Sequence, residues 1–220
     1  MKNKNLTSNN QKFLLALHSS TESLGIGLKE LNNHNQPSQS STIKIGRNLS
    51  NYLFRSIEEI FPSVSWQQIA RLAVATGPGG FTGTRMTLIF ARTIAQQLKC
   101  PIDGVSSFEL MAYRLIKRLN KKEIEEPFWI KQSLKHRGVV AGKYQLIKHT
   151  ENPDMSIIKE LKEPHLIKPS EAIYPTLDAS EDVAQDIKRL LKICLDSYIN
   201  NKEGSWTTIL PIYPTSPIRN

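Results

Sequence analysis

The chain has 220 residues, 39% of them hydrophobic and 22% charged, an ordinary composition for one large domain or two small ones sharing a core. No stretch reaches the roughly 18 to 20 apolar residues of a membrane span; the two cysteines, Cys100 and Cys194, stand far apart outside any CxxC pair, which excludes a disulfide framework or zinc ribbon and fits a reducing cytoplasm. The formal charge of +9 is concentrated in residues 111–150, where ten Lys/Arg face three Asp/Glu; this reads either as a solvated cationic surface or as one turned to RNA phosphates, and no RNA-binding module signature accompanies it.

Residues 1–11 are polar, Asn-rich and without the apolar core of a signal peptide, and read as a disordered leader. Residues 13–17 (Phe-Leu-Leu-Ala-Leu) form an apolar run suited to a buried strand, and 24–28 alternate as a second. Residues 32–41 read as a loop and 42–45 as a third strand with Lys44 on its open face. Helical spacing follows: Leu49, Tyr52, Leu53, Ile57, Ile60 and Phe61 share a stripe that Pro62 ends. Ser65 with Gln68 makes a capping box for a short turn. Residues 72–76 are a fourth strand, 82–98 a long helix and 101–105 a fifth strand. Ser106 with Glu109 then caps a helix that carries Phe108, Met111, Ala112, Leu115 and Leu119 on one face.

Strand, strand, strand, helix, strand, helix, strand, helix is the order of the ribonuclease H-like unit, the building block of actin-like and sugar-kinase folds. The expected fold is therefore α/β, a mixed sheet with helices, in two subdomains: 12–120, and a smaller, divergent 121–220. In the second, 128–130 and 139–147 read as strands. Asp178 with Glu181 caps a helix with core positions Val183, Ile187, Leu190, Leu191, Cys194 and Tyr198, and 206–218 read as an extended segment packed on a surface.

The most informative segment is Gly77-Pro78-Gly79-Gly80-Phe81-Thr82-Gly83-Thr84-Arg85, between a buried strand and a long helix. Its glycines permit a tight turn and close backbone approach, and the amides at the helix start suit an anion. It lacks the GK[ST] ending of a Walker A loop. A strand-to-helix turn packed through Gly77, Pro78, Gly79, Gly80 and Gly83 accounts for it equally well. In the helix beyond, Met86, Ile89, Phe90, Ile94 and Leu98 form one apolar stripe, and Leu88, Ala91 and Ala95 widen it to a second side. A helix lying on a sheet needs only one stripe, so a further layer or a partner is expected.

The motif, with Phe90-Ala-Arg-Thr-Ile-Ala95, Pro101-Ile-Asp-Gly-Val-Ser-Ser-Phe-Glu109 and Leu17-His-Ser-Ser-Thr-Glu22, resembles the TsaB family in order and spacing over residues 13–113. Gly80 stands in place of the usual Ser and Thr87 in place of a later Gly. The resemblance implies an actin-like fold with a degenerate second half, no catalytic residues, no metal and no cofactor. It implies a cytoplasmic scaffold that pairs with the transferase TsaD through a helix bundle, with TsaE docking on the pair and tRNA met indirectly. TsaD transfers a threonylcarbamoyl group to an adenosine beside the tRNA anticodon. On this reading Tyr52, Phe54, Arg55, Phe81, Arg85, Met86, Ile89, Phe90 and Thr93 form the interface, and a homodimer is expected without the partner.

Two departures bear on chemistry. His18 stands where relatives carry Asp after the first strand, and a family pattern with two carboxylates survives only as residues 134–141 (Leu-Lys-His-Arg-Gly-Val-Val-Ala). The competing readings are weaker. The five histidines, His18, His34, His136, His149 and His165, form no HExxH or HxxxH pair for a metalloenzyme. A ribonuclease H-like nuclease would need carboxylates on its first and fourth strands. An ATP-dependent small-molecule kinase of actin-like fold is the best enzymatic alternative, and needs an acidic metal site.

Overall fold

A buried strand flanked on both edges and both faces reads as an unbroken apolar run, and β1 (Phe13–His18) is buried at every position. Leu15 and Leu17 point into one cluster, Leu14 and Ala16 into another. The computed structural model describes residues 11–32, 37–46, 49–60, 66–148 and 156–215. The expectations for residues 1–10, His34, Phe61, Pro62, Ser65 and His149 fall outside these.

β2 (Ser23–Glu30) pairs antiparallel with β1, setting Leu28 beside Leu15 and Ile26 beside Leu17. β3 (Gln39–Lys44) pairs antiparallel with β2 at the sheet edge, its burial alternating with its pleat. It begins inside the stretch expected as loop, because the β2 backbone satisfies its polar residues without requiring apolar side chains. β4 (Ile69–Ala75) runs parallel to β1 on the other side, and β5 (Ile102–Val105) parallel to β4. The order is β3-β2-β1-β4-β5.

Two helices cover one face. α1 (Leu49–Ile60) turns Leu49, Leu53 and Ile57 inward but leaves Tyr52 about half exposed, outside the stripe its spacing predicts. α2 (Phe81–Leu98) reverses the expected emphasis: Thr84, Thr87, Leu88, Ala91 and Ala95 are buried, whereas Ile89 is exposed and Met86, Phe90, Ile94 and Leu98 are half-buried. Small side chains let a helix axis come close to a sheet, so the bulky ones fall to the flanks. Phe54, Trp66 and Phe90 join the two helices through ring centroids 5.5 to 6.3 Å apart.

α3 (Ser107–Leu115) leads to a second sheet, made of β6 (Phe128–Leu134), β7 (Gly138–Ile147), β8 (Ile157–Leu166) and β9 (Thr176–Asp178) in the order β8-β7-β6-β9. Phe108, Met111, Ala112 and Leu115 of α3 meet Phe128, Ile130, Val140, Tyr144 and Ile158 in its core. Ser106 does not cap α3 with its side chain. Its hydroxyl lies 3.3 Å from Tyr144 Oη instead. α4 (Val183–Ile199) is capped by Asp182, which accepts from the Gln185 amide at 3.1 Å; Asp178, expected as part of that cap, ends β9 and lies 3.7 Å from Lys131. Ile187, Leu190, Leu191 and Cys194 of α4 cover the second face of the first sheet, against Leu14, Ala16, Ala73 and Ala75. Thus α3, which precedes residue 120, serves the second sheet, and α4, which follows it, serves the first.

The segment after α4 returns along β5. Arg71 of β4, only 2% exposed, makes a two-pronged pair with Asp103 at 2.6 and 2.7 Å and donates to the Lys202 carbonyl at 2.8 Å. Ile209 packs over Gly104, and the Ile212 amide donates to Thr76 O at 2.9 Å. Cys100 and Cys194 are both free thiols. Among the described residues no helix is long and apolar enough to cross a membrane. Removing one member of a buried ion pair strands the other. Asp103→Ala is therefore expected to lower unfolding stability by about 3 kcal/mol in chemical denaturation; a loss below about 1 kcal/mol would show the guanidinium to be satisfied by the tail carbonyls alone.

Candidate functional site: the cleft turns and the α1–α2 face

The turn after β1 and the turn after β4 touch backbone to backbone. Gly77 leaves β4 at φ +98° and joins Pro78 through a cis peptide. A Cβ on Gly79 would stand 2.2 Å from the Ser20 carbonyl oxygen, so only glycine fits there. The Gly80 amide donates to that same carbonyl at 2.7 Å. Ser19 Oγ donates to the Gly83 carbonyl at 3.1 Å and shares a hydrogen bond with Thr87 Oγ1. The start of α3 joins the same knot: Ser107 Oγ donates to Ser20 Oγ at 2.8 Å, and its amide donates to Gly77 O at 2.7 Å.

His18 ends β1 beneath this knot, fully buried, with its ring 3.3 Å from Ser20 Oγ. Loss of hydration, with a smaller push from the Arg114 charge, lowers its pKa from 6.5 to about 4, so the imidazole is neutral at physiological pH. Arg114 is held by Asp186 at 2.9 Å and by the Ser180 hydroxyl and carbonyl, tying α3 to α4. On either side of the Gly80–Phe81 step lie two cavities of about 380 and 400 Å³, both lined by Ser20, Gly80, Phe81 and Glu181. Lys135 and Arg137, from the β6–β7 hairpin, line the second. This hairpin is the residue 134–141 segment, turning at His136 (φ +60°) and Gly138 (φ +93°). The first turn of α2 carries no acidic residue and no side-chain cap.

The sequence-derived interface residues divide into two sets. Tyr52, Phe54, Arg55, Phe81, Arg85, Ile89 and Thr93 are exposed, while Met86 and Phe90 are half-buried and packed against the core of the first sheet. Phe81, Arg85, Ile89 and Thr93 follow one another at four-residue steps and share one ridge of α2. Arg55 pairs with Glu59 at 2.5 Å on the outer side of α1. Spacing alone had not separated Ile89 from Phe90; packing does, since Phe90 meets Phe54 and Trp66. The basic residues of the stretch 111–150 have several different settings among the described residues. Arg114, Lys131 and Lys148 are ion-paired, Lys135 and Arg137 stand in the β6–β7 hairpin, and Lys117 and Arg118 lie in the turn that follows α3.

Two features carried no sequence signal. One is the strand β8 and the loop to β9, whose mixed polar pattern hides the alternation. The other is a recess where Glu109 of α3 and Glu160 of β8 line one cavity of about 490 Å³. Burial, with the like charge of Glu160 adding to it, raises the Glu109 pKa from 4.5 to about 7.

A five-stranded mixed sheet whose first and fourth strands end in interlocked turns, facing a second small sheet across a cleft, defines an actin-like, ribonuclease H-like protein. The profile of the family described as "TsaD: tRNA N6-adenosine threonylcarbamoyltransferase" matches residues 43–200. Among curated relatives, TsaB of Bacillus subtilis is 44% identical over 46 residues, covering 21% of this chain and 20% of that protein. TsaB of Buchnera aphidicola from Acyrthosiphon pisum is 21% identical over 141 residues, covering 60% and 62%. The chain thus spans less than two thirds of the curated relatives it matches. In structure, a Pseudomonas aeruginosa protein described as similar to peptidase YEAZ superposes with a TM-score of 0.68 at 20% identity, covering 93% of this chain and all of that one. A second Pseudomonas aeruginosa structure, YeaZ, gives 0.64, also at 20% identity, covering 92% and 99%. The chain belongs to the family of that profile, and the curated relatives and solved structures it resembles are TsaB and YeaZ proteins.

Two opposed pH responses follow. Between pH 6.5 and 4 the unfolded His18 binds a proton that the folded one refuses, so acidification lowers stability, by about 3 kcal/mol across the window. His18→Asn is expected to flatten that slope in denaturation series at stepped pH; an unchanged slope would mean that the imidazole is hydrated. Glu109 has the opposite sign. From pH 4.5 to 7 the folded carboxyl keeps a proton that the unfolded one loses, so stability drops as pH rises. Glu109→Gln should accordingly stabilise the protein at pH 8 by about 2 kcal/mol, with no gain at pH 4.

Proposed function

We propose that this chain is a non-catalytic scaffold that binds the transferase TsaD and supports threonylcarbamoyl transfer to the adenosine beside the tRNA anticodon. The observation that carries the reading is the α1–α2 face. Tyr52 (46%), Phe54 (47%) and Ile89 (56%) are large apolar side chains left in solvent on two adjacent helices that already have their own core. Such a face is covered in a stable assembly. The named TsaB relatives support the pathway, and the buried neutral imidazole of His18, a poor stand-in for the oxygen ligand a magnesium-phosphate site wants, supports a structural role for the cleft.

On this reading the protein needs no cofactor, works in the cytoplasm, meets TsaE through the TsaD pair and meets tRNA indirectly. Without TsaD, the same face pairs two copies of the chain. The test is light scattering of this chain mixed with TsaD from the same cell. A one-to-one complex that displaces any homodimer is expected, with no ATP turnover by this chain alone. Turnover without association would favour the kinase reading. Ile89→Asp places a charge on the ridge without touching the core, and is expected to weaken the complex at least about tenfold while leaving the melting temperature within a few degrees. Phe90→Asp is a poorer probe, because its ring also holds Phe54 and Trp66 in place. An Ile89→Asp variant that bound normally would move the interface elsewhere.

A further inference from the structure

We infer that Arg85, packed against the adjoining rings of Phe81 and Tyr213, is a preformed carboxylate receptor on the docking face, and that the tail after α4 is thereby a third element of the interface. The inference rests on the docking reading above. The Arg85 guanidinium lies 4.7 Å from the Phe81 ring centroid and 5.9 Å from that of Tyr213, and the two rings are 5.1 Å apart. Arg85 takes part in none of the ion pairs among the described residues. The contrast with Arg71 and Arg114 is informative: each of those is neutralised by its own aspartate.

A guanidinium stacked on aromatic faces keeps its N–H groups free at the edge, and it has already lost the side-chain freedom that a carboxylate would otherwise have to remove. Tyr213 is not there by chance of a loose end. Its backbone is delivered by the Ile212 amide bonded to Thr76 O and by Ile209 seated over Gly104. Arg85 stands one helical turn before Ile89 on the same ridge, so the receptor continues the apolar face. The occupant that fits is a protein helix or loop that sets an apolar residue on Ile89 and an aspartate or glutamate on Arg85.

The experiment measures the dissociation constant of the TsaD complex at several salt concentrations for Arg85→Lys, Arg85→Ala, Tyr213→Ala and Ile89→Asp, with melting temperatures alongside. Arg85→Lys keeps the charge and loses the fork, and is expected to bind about tenfold more weakly. Arg85→Ala should also lose most of the salt dependence. Tyr213→Ala should weaken binding several-fold with folding intact. Wild-type affinity in Arg85→Lys and Tyr213→Ala, while Ile89→Asp fails to bind, would overturn the receptor and leave the docking reading standing. Normal binding by all four would overturn both.

Discussion

The place where a Cβ of residue 79 would be is occupied by the Ser20 carbonyl, and most of the architecture hangs on that contact. Because the two turns interlock, the C-terminal ends of β1 and β4 are fixed relative to each other. The axis of α2, which begins one residue after Gly80, follows from them. Ser107 adds α3 to the same point, and α3 forms much of the second sheet's core. One small knot therefore sets both the tilt of the exposed α2 ridge and the separation of the two sheets. The polar groups of the turns bond largely to one another, and the imidazole below carries no charge at physiological pH.

The first sheet was readable from the sequence because its strands are covered on both faces, which forces unbroken apolar runs between turn residues. Its helices were readable as helices but not in orientation. On α2 the bulkiest apolar residues looked like the core face, whereas Ala91, Ala95 and Thr87 sit against the sheet. Volume and hydrophobicity point to different faces wherever close approach matters more than apolar area. β8 stayed hidden because an edge strand with one open face carries Lys159, Glu160, Lys162 and Glu163 among its apolar residues, and a shifting register blurs the period of two. The Ser106 cap failed because Tyr144, 38 residues away, competes for the same hydroxyl. No local pattern records such a competitor.

Electrostatics separates the interior cations from the surface ones. Arg71 and Arg114 sit deep and are each held by an aspartate and by main-chain carbonyls, so each acts as a pin between distant segments: β4 with the tail, α3 with α4. The positive excess that dominates residues 111–150 in the sequence is thereby diluted in space. One of its charges is internal and two are paired at the surface. Charge counted along a chain is a poor guide to field when part of it is neutralised by partners distant in sequence.

The position of α4 has a consequence for how the chain comes into being. The side chains that cover Leu14 and Ala16, those of Ile187, Leu190 and Leu191, are made more than 170 residues after them. During synthesis the first sheet can acquire α1 and α2 on one face while the other stays bare until α4 has left the ribosome. The first sheet is therefore closed by a contact of high sequence separation. The interval before that closure is when an emerging chain is most exposed to capture by chaperones or by another copy of itself.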